Sequence, residues 1–519
     1  MLIRLAPATA AATLAVLATA AQAQTAPQTP ATVSPAEPAA EPAVIPYLPS
    51  FFADARPISA LDMIRRIPGF SFDSGASVRG LEGGAGNVLI DGQRSLSKSE
   101  GLDEILRRIP AASVARIDII RGGAPGIDMQ GRTVMANVVR RSGGGLTGGT
   151  QVSIGGLWDG RVVHGARAEV QRRWADRSLE AALVYGEGAD DGLGRGERIR
   201  TDGAGRLIES ADVLGRGRGS HAALTAAYET PLWGGRLRLN TVLQSNPFGV
   251  DITDTLRGSG AVEHEHDVIR SHGAEFGARY SRPIAPGLSS ETVFLQQLGR
   301  DRTVVDFTSP GADREFDLGQ RTGESVLHSD LTWTRSNRLT FKFGGEGAFN
   351  WLESRTRLLF DGTPILLPAA NVRVEELRGE ALAEMTWRPT GRLNVEAGLH
   401  LEASTIRASG DTDLEKTLFF PKPRLVVTWS PSPAHQLRLR LEREVGQLNF
   451  GDFVAASSVA NTGTAIAGNP DITPAQSWVV EAVYEYRFWT DGVATLTLAH
   501  ARTNDVIDRI PLVVGTDVI

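Results

Sequence analysis

The segment Glu263-His264-Glu265-His266-Asp267 is the densest set of possible metal ligands in the chain. On a strand, alternate residues point the same way, so His264 and His266 share a face and offer two imidazoles to a transition metal. Zinc sites take three or four protein ligands, and no third is apparent here. The expected structure is a hydrated loop tip, with His264 and His266 as a weak metal candidate. Other chemistry has less to stand on. Neither a Gly-x-Ser-x-Gly elbow nor a His-Glu-x-x-His helix occurs. The absence of cysteine removes disulfide frameworks, Cys-ligated zinc, iron–sulfur clusters and thiol nucleophiles together. The glycine-dense run Ser142 to Gly149 lacks the Lys-Ser/Thr of a phosphate-binding loop. A formal net charge of -6 argues against a nucleic-acid binder. No catalytic residue, enzyme activity or permanently bound cofactor is expected.

The elements around these residues point to export. Arg4 precedes an apolar, small-residue run from Leu5 to Ala21, and Ala21-Gln22-Ala23 has the small-x-small pattern of a signal-peptidase site. Residues 1–23 read as a signal peptide cleaved after Ala23. Residues 24–56 are rich in Ala, Pro and Thr and bury too little apolar surface to order themselves, which predicts a disordered arm. Within it, Ala43 to Tyr47 is a short apolar stretch.

Residues 57–141 read as a small α+β domain. Ser59 caps a helix carrying Leu61, Ile64 and Ile67, which ends at Pro68-Gly69. Strand-like pieces follow at Phe70 to Phe72, Ser77 to Arg79 and Asn87 to Ile90, the last ending in the Asp91-Gly92 turn signal. A second helix carries Leu102, Ile105, Leu106 and Ile109 and stops at Pro110. Further strands are predicted over Ala115 to Arg121 and Thr133 to Arg140. Residues 142–149 are the glycine-rich linker to the rest.

From 150 to 519 the pattern becomes strict alternation. Leu437, Leu439 and Leu441 oppose Arg438, Arg440 and Glu442; Leu339, Phe341 and Phe343 oppose Thr340 and Lys342. Strands with one apolar and one wet face, well past ten residues long, fit a transmembrane barrel rather than a sandwich, whose strands run about 5–6 residues. Trp174, Trp233, Trp333, Trp387, Trp429 and Trp489 each sit beside a tight-turn signal, as an interfacial girdle requires. Roughly 15 strands of membrane-crossing length are visible. The odd number and the final Ile519 lead to the expectation of an incomplete barrel.

The first domain resembles the plug of TonB-dependent outer-membrane receptors, and the remainder resembles the start of their β-barrel. The blocks that carry the resemblance are Ile67-Pro68-Gly69-Phe70-Ser71-Phe72, Val78-Arg79-Gly80-Leu81, Val88 to Arg94, Ile109 to Gly122 and Asn137 to Arg141. In the barrel they are Phe420-Pro421-Lys422-Pro423 and Gly468 to Ile472 with Pro474 and Trp478. The fold expected is mainly β: a small α+β plug inside a large antiparallel transmembrane barrel, which has about 22 strands in the family. Arg132 to Ala136 replaces the Gly-Gly pair usual before the closing plug strand.

The resemblance implies active import of a scarce solute, a ferric siderophore or other iron chelate being the commonest cargo. It implies bacterial outer-membrane lipid and lipopolysaccharide as surroundings. The partners implied are TonB with its proton-driven inner-membrane complex, and a small-molecule ligand. Val44, Ile45, Pro46 and Tyr47 are the TonB-box candidate. The plug-motif positions are Pro68, Gly69, Arg79, Gly80, Asp91, Gly92, Arg94, Arg121 and Gly122. Among these, Arg79, Arg94 and Arg121 are placed to pair with barrel carboxylates and hold the plug in register. The competing readings are a non-transporting outer-membrane binding protein, a truncated inactive receptor and, less well, a passive porin.

Overall fold

The computed structural model describes residues 44–507 apart from 76–85, 96, 122–128, 130–133, 142–144, 193, 368, 412, 447, 449, 454–455, 459–463, 467–470 and 490–491, together with 513–514 and 517–518. The plug is a four-stranded sheet with two short helices. Its elements are β1 (Val44–Tyr47), α1 (Ala60–Ile64), β2 (Val88–Ile90), α2 (Leu102–Arg107), β3 (Val114–Arg121) and β4 (Val134–Arg140), with strand order β1-β3-β4-β2. Phe52, Leu61, Ile64, Leu106, Ile117 and Ile119 are almost wholly buried in one cluster. At about 1.5–3 kcal/mol for each large apolar side chain, that cluster holds the sheet and helices together.

Two expectations for this region need correction. The arm was expected to be unstructured through residue 56, yet β1 pairs with β3 from Val44↔Ile120 to Tyr47↔Ile117, and Phe52 enters the core. The aromatic cluster Tyr47, Phe51 and Phe52 supplies the apolar surface that the Ala/Pro composition lacks. Phe70 to Phe72 does not form a strand. Asn87 substitutes for a ladder there: its amide donates to the Ser71 carbonyl (2.7 Å) and accepts from Asp73 N–H (2.9 Å).

Helix α1 begins as the sequence predicts. The Ser59 side chain accepts from Asp62 N–H, and Asp62 accepts from Ser59 N–H, a reciprocal capping box. Burial works against the Asp62 carboxylate, but the hydrogen bonds from Ser59 and Ile58 outweigh it and hold the carboxyl below its ordinary 3.8. A depressed carboxyl gives stability that is present above pH 3.8 and lost as pH falls through the lowered value. Ser59→Ala should therefore cost about 1 kcal/mol at neutral pH. The difference from the parent should narrow below pH 3.8, read by hydrogen exchange of the α1 amides. An undiminished difference in acid would count against the capping box.

The barrel elements are β5 (Gly145–Gly156), β6 (Val162–Trp174), β7 (Arg177–Gly188), β8 (Arg195–Thr201), β9 (Leu207–Leu232), β10 (Gly235–Leu256), β11 (Val262–Ala285), β12 (Leu288–Ser309), β13 (Ala312–Ser336) and β14 (Leu339–Phe360). They continue with β15 (Thr363–Ile365), β16 (Asn371–Thr390), β17 (Leu393–Gly410), β18 (Leu414–Ser432) and β19 (His435–Val445). After a two-stranded excursion, β20 (Ala456–Ser458) and β21 (Thr464–Ile466), the wall ends with β22 (Gln476–Phe488) and β23 (Gly492–Asn504). Consecutive long strands pair antiparallel, and the order closes on itself with β23 next to β5.

Among the described residues the closed order has 17 strands; 15 are of membrane-crossing length, as the sequence predicts, and two are not. These two, β8 and β15, are short pieces on outer hairpins, where alternation is too brief to read. The order also comes round where the sequence led us to expect an incomplete wall; an open sheet edge inside lipid would leave backbone groups unpaired. Both faces of β5 are exposed from Gly145 to Ile154, and β23 is exposed from Ala494 onward. Closure is therefore thinnest at that junction. Strand β5 itself starts inside the run taken as linker, because its glycines adopt extended backbone opposite β6.

Register fixes the two faces. Phe276, Phe294, Leu327, Phe343, Leu377, Phe419 and Leu439 stand exposed on the outer face, while the cross-strand row Glu275–Gln297–Glu324–Asn350–Glu376 points into the lumen. The tight turns close one rim, with Trp233 and Gly234 both at positive φ (47° and 75°) between β9 and β10. Short turns at one end and long hairpins at the other are the periplasmic and external rims of such a barrel. Strands of 22–26 residues from β9 to β14 run far past the length needed to cross lipid, so their outer halves project as a vestibule.

Candidate functional site

The functional geometry is the contact between the plug and the inner wall, which is built almost wholly from charge. Arg121, at the end of β3, extends its guanidinium to Glu485 on β22, with Nη1 at 2.8 and 2.6 Å from the two carboxylate oxygens. Both side chains are only 5% exposed. Its Nη2 donates to the Gly69 carbonyl at 3.2 Å, so Arg121 also fixes the Pro68-Gly69 turn. Gly69 has φ +66, and a Cβ there would lie 3.0 Å from Arg121 Nη2 and 3.1 Å from Val493 Cγ2 on β23. Gly69→Ala should cost about 1–3 kcal/mol of plug stability through left-handed strain alone. The check is the urea concentration at which the plug becomes protease-sensitive; an unshifted midpoint would refute the close fit.

The Asp91-Gly92 turn after β2 also has two positive φ values (51° and 82°). Asp91 accepts from Arg140 N–H (2.8 Å) and Arg140 Nε (2.6 Å), and Arg140 continues to Glu180 on β7. Gly92 N–H donates to Asn137 Oδ1 at 2.8 Å. The motif residues Asp91 and Gly92 therefore orient a buried arginine, Arg140, which the sequence places only in the closing plug strand. Arg94 reaches back into the plug, donating to the Gly86 carbonyl (3.1 Å) and lying 3.5 Å from Met135 Sδ, while its own carbonyl accepts from Arg279 of β11 at 2.8 Å.

A second node lies on β11. Glu275, wholly buried, accepts from Lys98 N–H (3.0 Å), Ser99 N–H (2.8 Å), Gln297 Nε2 (2.9 Å) and Asn240 Nδ2 (3.4 Å). Beside it Lys98 Nζ meets Glu324 of β13 at 2.7 Å, and across the lumen Arg167 of β6 meets Glu104 of α2 at 2.6 Å. None of Lys98, Glu104, Arg140, Glu180, Glu275 or Glu485 was singled out from sequence. The usable signal was a charged residue at the wet parity of an otherwise apolar strand, as in Ala274-Glu275-Phe276.

The remaining expected positions divide three ways. Arg79, Gly80 and Gly122 lie outside the described residues. Val44 to Tyr47 form the edge strand of the plug sheet. His264 and His266 do share a face, which register places outward: His264 Nδ1 lies 3.2 Å from Thr253 Oγ1 and His266 Nδ1 2.6 Å from Asp251 Oδ1. Among the described residues no cluster of three or more potential ligands gathers.

Residues 210–518 match the family described as TonB dependent receptor-like, beta-barrel, and residues 51–133 match the TonB-dependent receptor plug domain. No curated protein matches. Among solved structures, the alcaligin outer-membrane receptor FauA of Bordetella pertussis is 11% identical, with a TM-score of 0.47 over 90% of this chain and 72% of that one. The siderophore receptor PiuA of Acinetobacter baumannii is 11% identical, with a TM-score of 0.48 over 88% and 71%.

Proposed function

Because this chain belongs to the TonB-dependent receptor family, we propose that it carries out energised uptake of a scarce small solute across the bacterial outer membrane, a ferric siderophore being the leading class. The observation that carries this is the plug–wall interface, joined by partly exposed ion pairs such as Lys98–Glu324 and Arg167–Glu104. Charged contacts in a wet lumen can be exchanged for water as the plug moves, whereas a hydrophobic interface of the same area would resist movement. The edge strand Val44–Tyr47 supports the second half of the reading. It is held on one side by β3, so TonB can capture it by strand addition and pull. No step of this reading uses an enzymatic group, and the solute is cargo rather than cofactor.

The alternative of a binding protein without energised transport is separated by deleting Ala43 to Tyr47. In cells starved of iron, radiolabelled iron accumulation from a panel of ferric siderophores should fall to background, while surface binding of the same chelates persists. Unchanged accumulation would sink the proposal. Loss of binding and uptake together would mean that β1 is needed to fold the plug, and the unaltered chain in cells lacking TonB then decides: surface binding without accumulation upholds energised transport, and unchanged accumulation sinks it.

A further inference from the structure

On the outer face of the wall, cross-strand register lays His272, Arg300, Arg321, Glu353 and Arg373 in a single row over β11, β12, β13, β14 and β16. The next row towards the long hairpins sets Arg270 opposite Arg302. These positions share the parity of Phe276, Leu298 and Leu327, which stand exposed on the outer face. Residues directly opposite in an antiparallel pair have Cβ atoms about 4.5–5.5 Å apart, and like charges there repel. That happens twice in neighbouring rows, at Arg300–Arg321 and at Arg270–Arg302. The nearby carboxylates do not cancel it. Asp317 is taken by Arg302 (2.9 Å), Glu353 by Arg355 (2.9 Å) and Glu375 by Arg373 (2.7 Å). Arg270, Arg300 and Arg321 are exposed and form no ion pair among the described residues.

Height in the membrane says what meets them. The row on the periplasmic side of Arg300 and Arg321 is Leu298, Gly323 and Trp351, with the Trp351 indole packed where a Cβ on Gly323 would stand. Arg321 lies twelve residues along β13 from Trp333 at the turn rim. At ~3.3 Å per residue and a tilt of about 40°, that rise is about 30 Å, the depth of the hydrocarbon layer. The arginines therefore stand among the headgroups of the outer leaflet, with a tryptophan just inside them. We propose that Arg270, Arg300, Arg302 and Arg321 form a binding site for a phosphate-bearing lipid of that leaflet. A phosphate between Arg300 and Arg321 takes donors from both guanidinium forks and turns a repelling pair into a bridged one. The acyl chains of the same molecule run down the apolar face past Leu298, Phe276 and Leu327, a contact that a free anion cannot make. The inference concerns the lipid around the barrel and stands apart from the transport reading.

Such a site predicts a change of sign. In neutral detergent without lipid, Arg321→Gln relieves the repulsion, so the folded barrel should unfold at a higher temperature than the parent. Bisphosphorylated lipid A should raise the parent's midpoint and raise that of R300Q/R321Q far less. Native mass spectrometry of the protein showing heat-modifiable mobility then measures the lipid itself. The parent should hold lipid A about tenfold more tightly than its dephosphorylated form, and R300Q/R321Q should lose that preference. R407Q is the control, because Glu415 already meets that arginine at 2.7 Å, and it should bind as the parent does. Equal binding of the two lipids by the parent, or an unchanged preference in R300Q/R321Q, overturns the proposal. A midpoint lowered by Arg321→Gln in lipid-free detergent overturns it too, since Arg321 would then already have a counter-charge. Inorganic phosphate that displaced lipid A at equal concentration would show a free-anion site and overturn the lipid assignment.

Discussion

Glu485→Ala should release the plug more readily than Arg121→Ala, and replacing both together should do less harm than either. The ordering follows from what each truncation strands. Without Glu485, the Arg121 guanidinium remains buried, with the Gly69 carbonyl at 3.2 Å as its remaining anchor. An uncompensated buried charge of that kind costs about 3–5 kcal/mol. Without Arg121, Glu485 still accepts from Arg487 Nε at 2.8 Å, so its charge is partly met and the loss is smaller. Arg121→Met with Glu485→Leu removes both charges and keeps the volume, a change that is often near neutral for a buried pair. The measurement is the urea midpoint for protease cleavage of the plug while the barrel stays heat-modifiable. If the single and double variants shifted equally, the pair would be a surface-like contact and the register argument would fail.

The barrel was legible because its code is local. Alternation such as Leu437 to Glu442 states both faces within six residues, and the tryptophans at Trp333 and Trp429 mark the rim without any knowledge of neighbours. The helix starts were legible for the same reason, since Ser59 and Asp62 cap each other across three residues. The plug's attachment was not. Arg121 and Glu485 are 364 positions apart, and Lys98 and Glu275 are 177. Nothing short of the register of every intervening strand says that they meet. Parity alone gives which charges face the lumen, but not which of them the plug reaches. Arg94 shows the converse: its spacing from a turn resembled that of Arg121, yet its guanidinium reaches Gly86 within the plug while its carbonyl takes the wall contact. The edge strand β1 was masked by its surroundings, because an Ala/Pro-rich arm lowers the average of a window in which Tyr47, Phe51 and Phe52 are packed together.

Glu275→Ala is expected to be the most damaging single change in the inner wall. The carboxylate is wholly buried and ends two backbone N–H groups of the plug, those of Lys98 and Ser99, through one oxygen. Side chains cannot be trimmed to relieve those donors, since they belong to the main chain. Each buried group left without an acceptor costs about 1–3 kcal/mol, and Gln297 and Asn240 lose an acceptor at the same time. Glu275→Gln separates charge from shape: it keeps one acceptor oxygen but places an amide among four donors, so an intermediate loss of about 1–2 kcal/mol is expected. Lys98→Ala supplies the control, because it removes the ion pair to Glu324 but leaves the Lys98 N–H bonded to Glu275. Amide exchange at Lys98 and Ser99 reads the effect at the site itself. Protection should collapse in Glu275→Ala, fall partly in Glu275→Gln and survive in Lys98→Ala. Equal exchange in all three would show that the strap from Ser97 to Glu100 is held by the plug's own fold, and that Glu275 is a passenger on the wall.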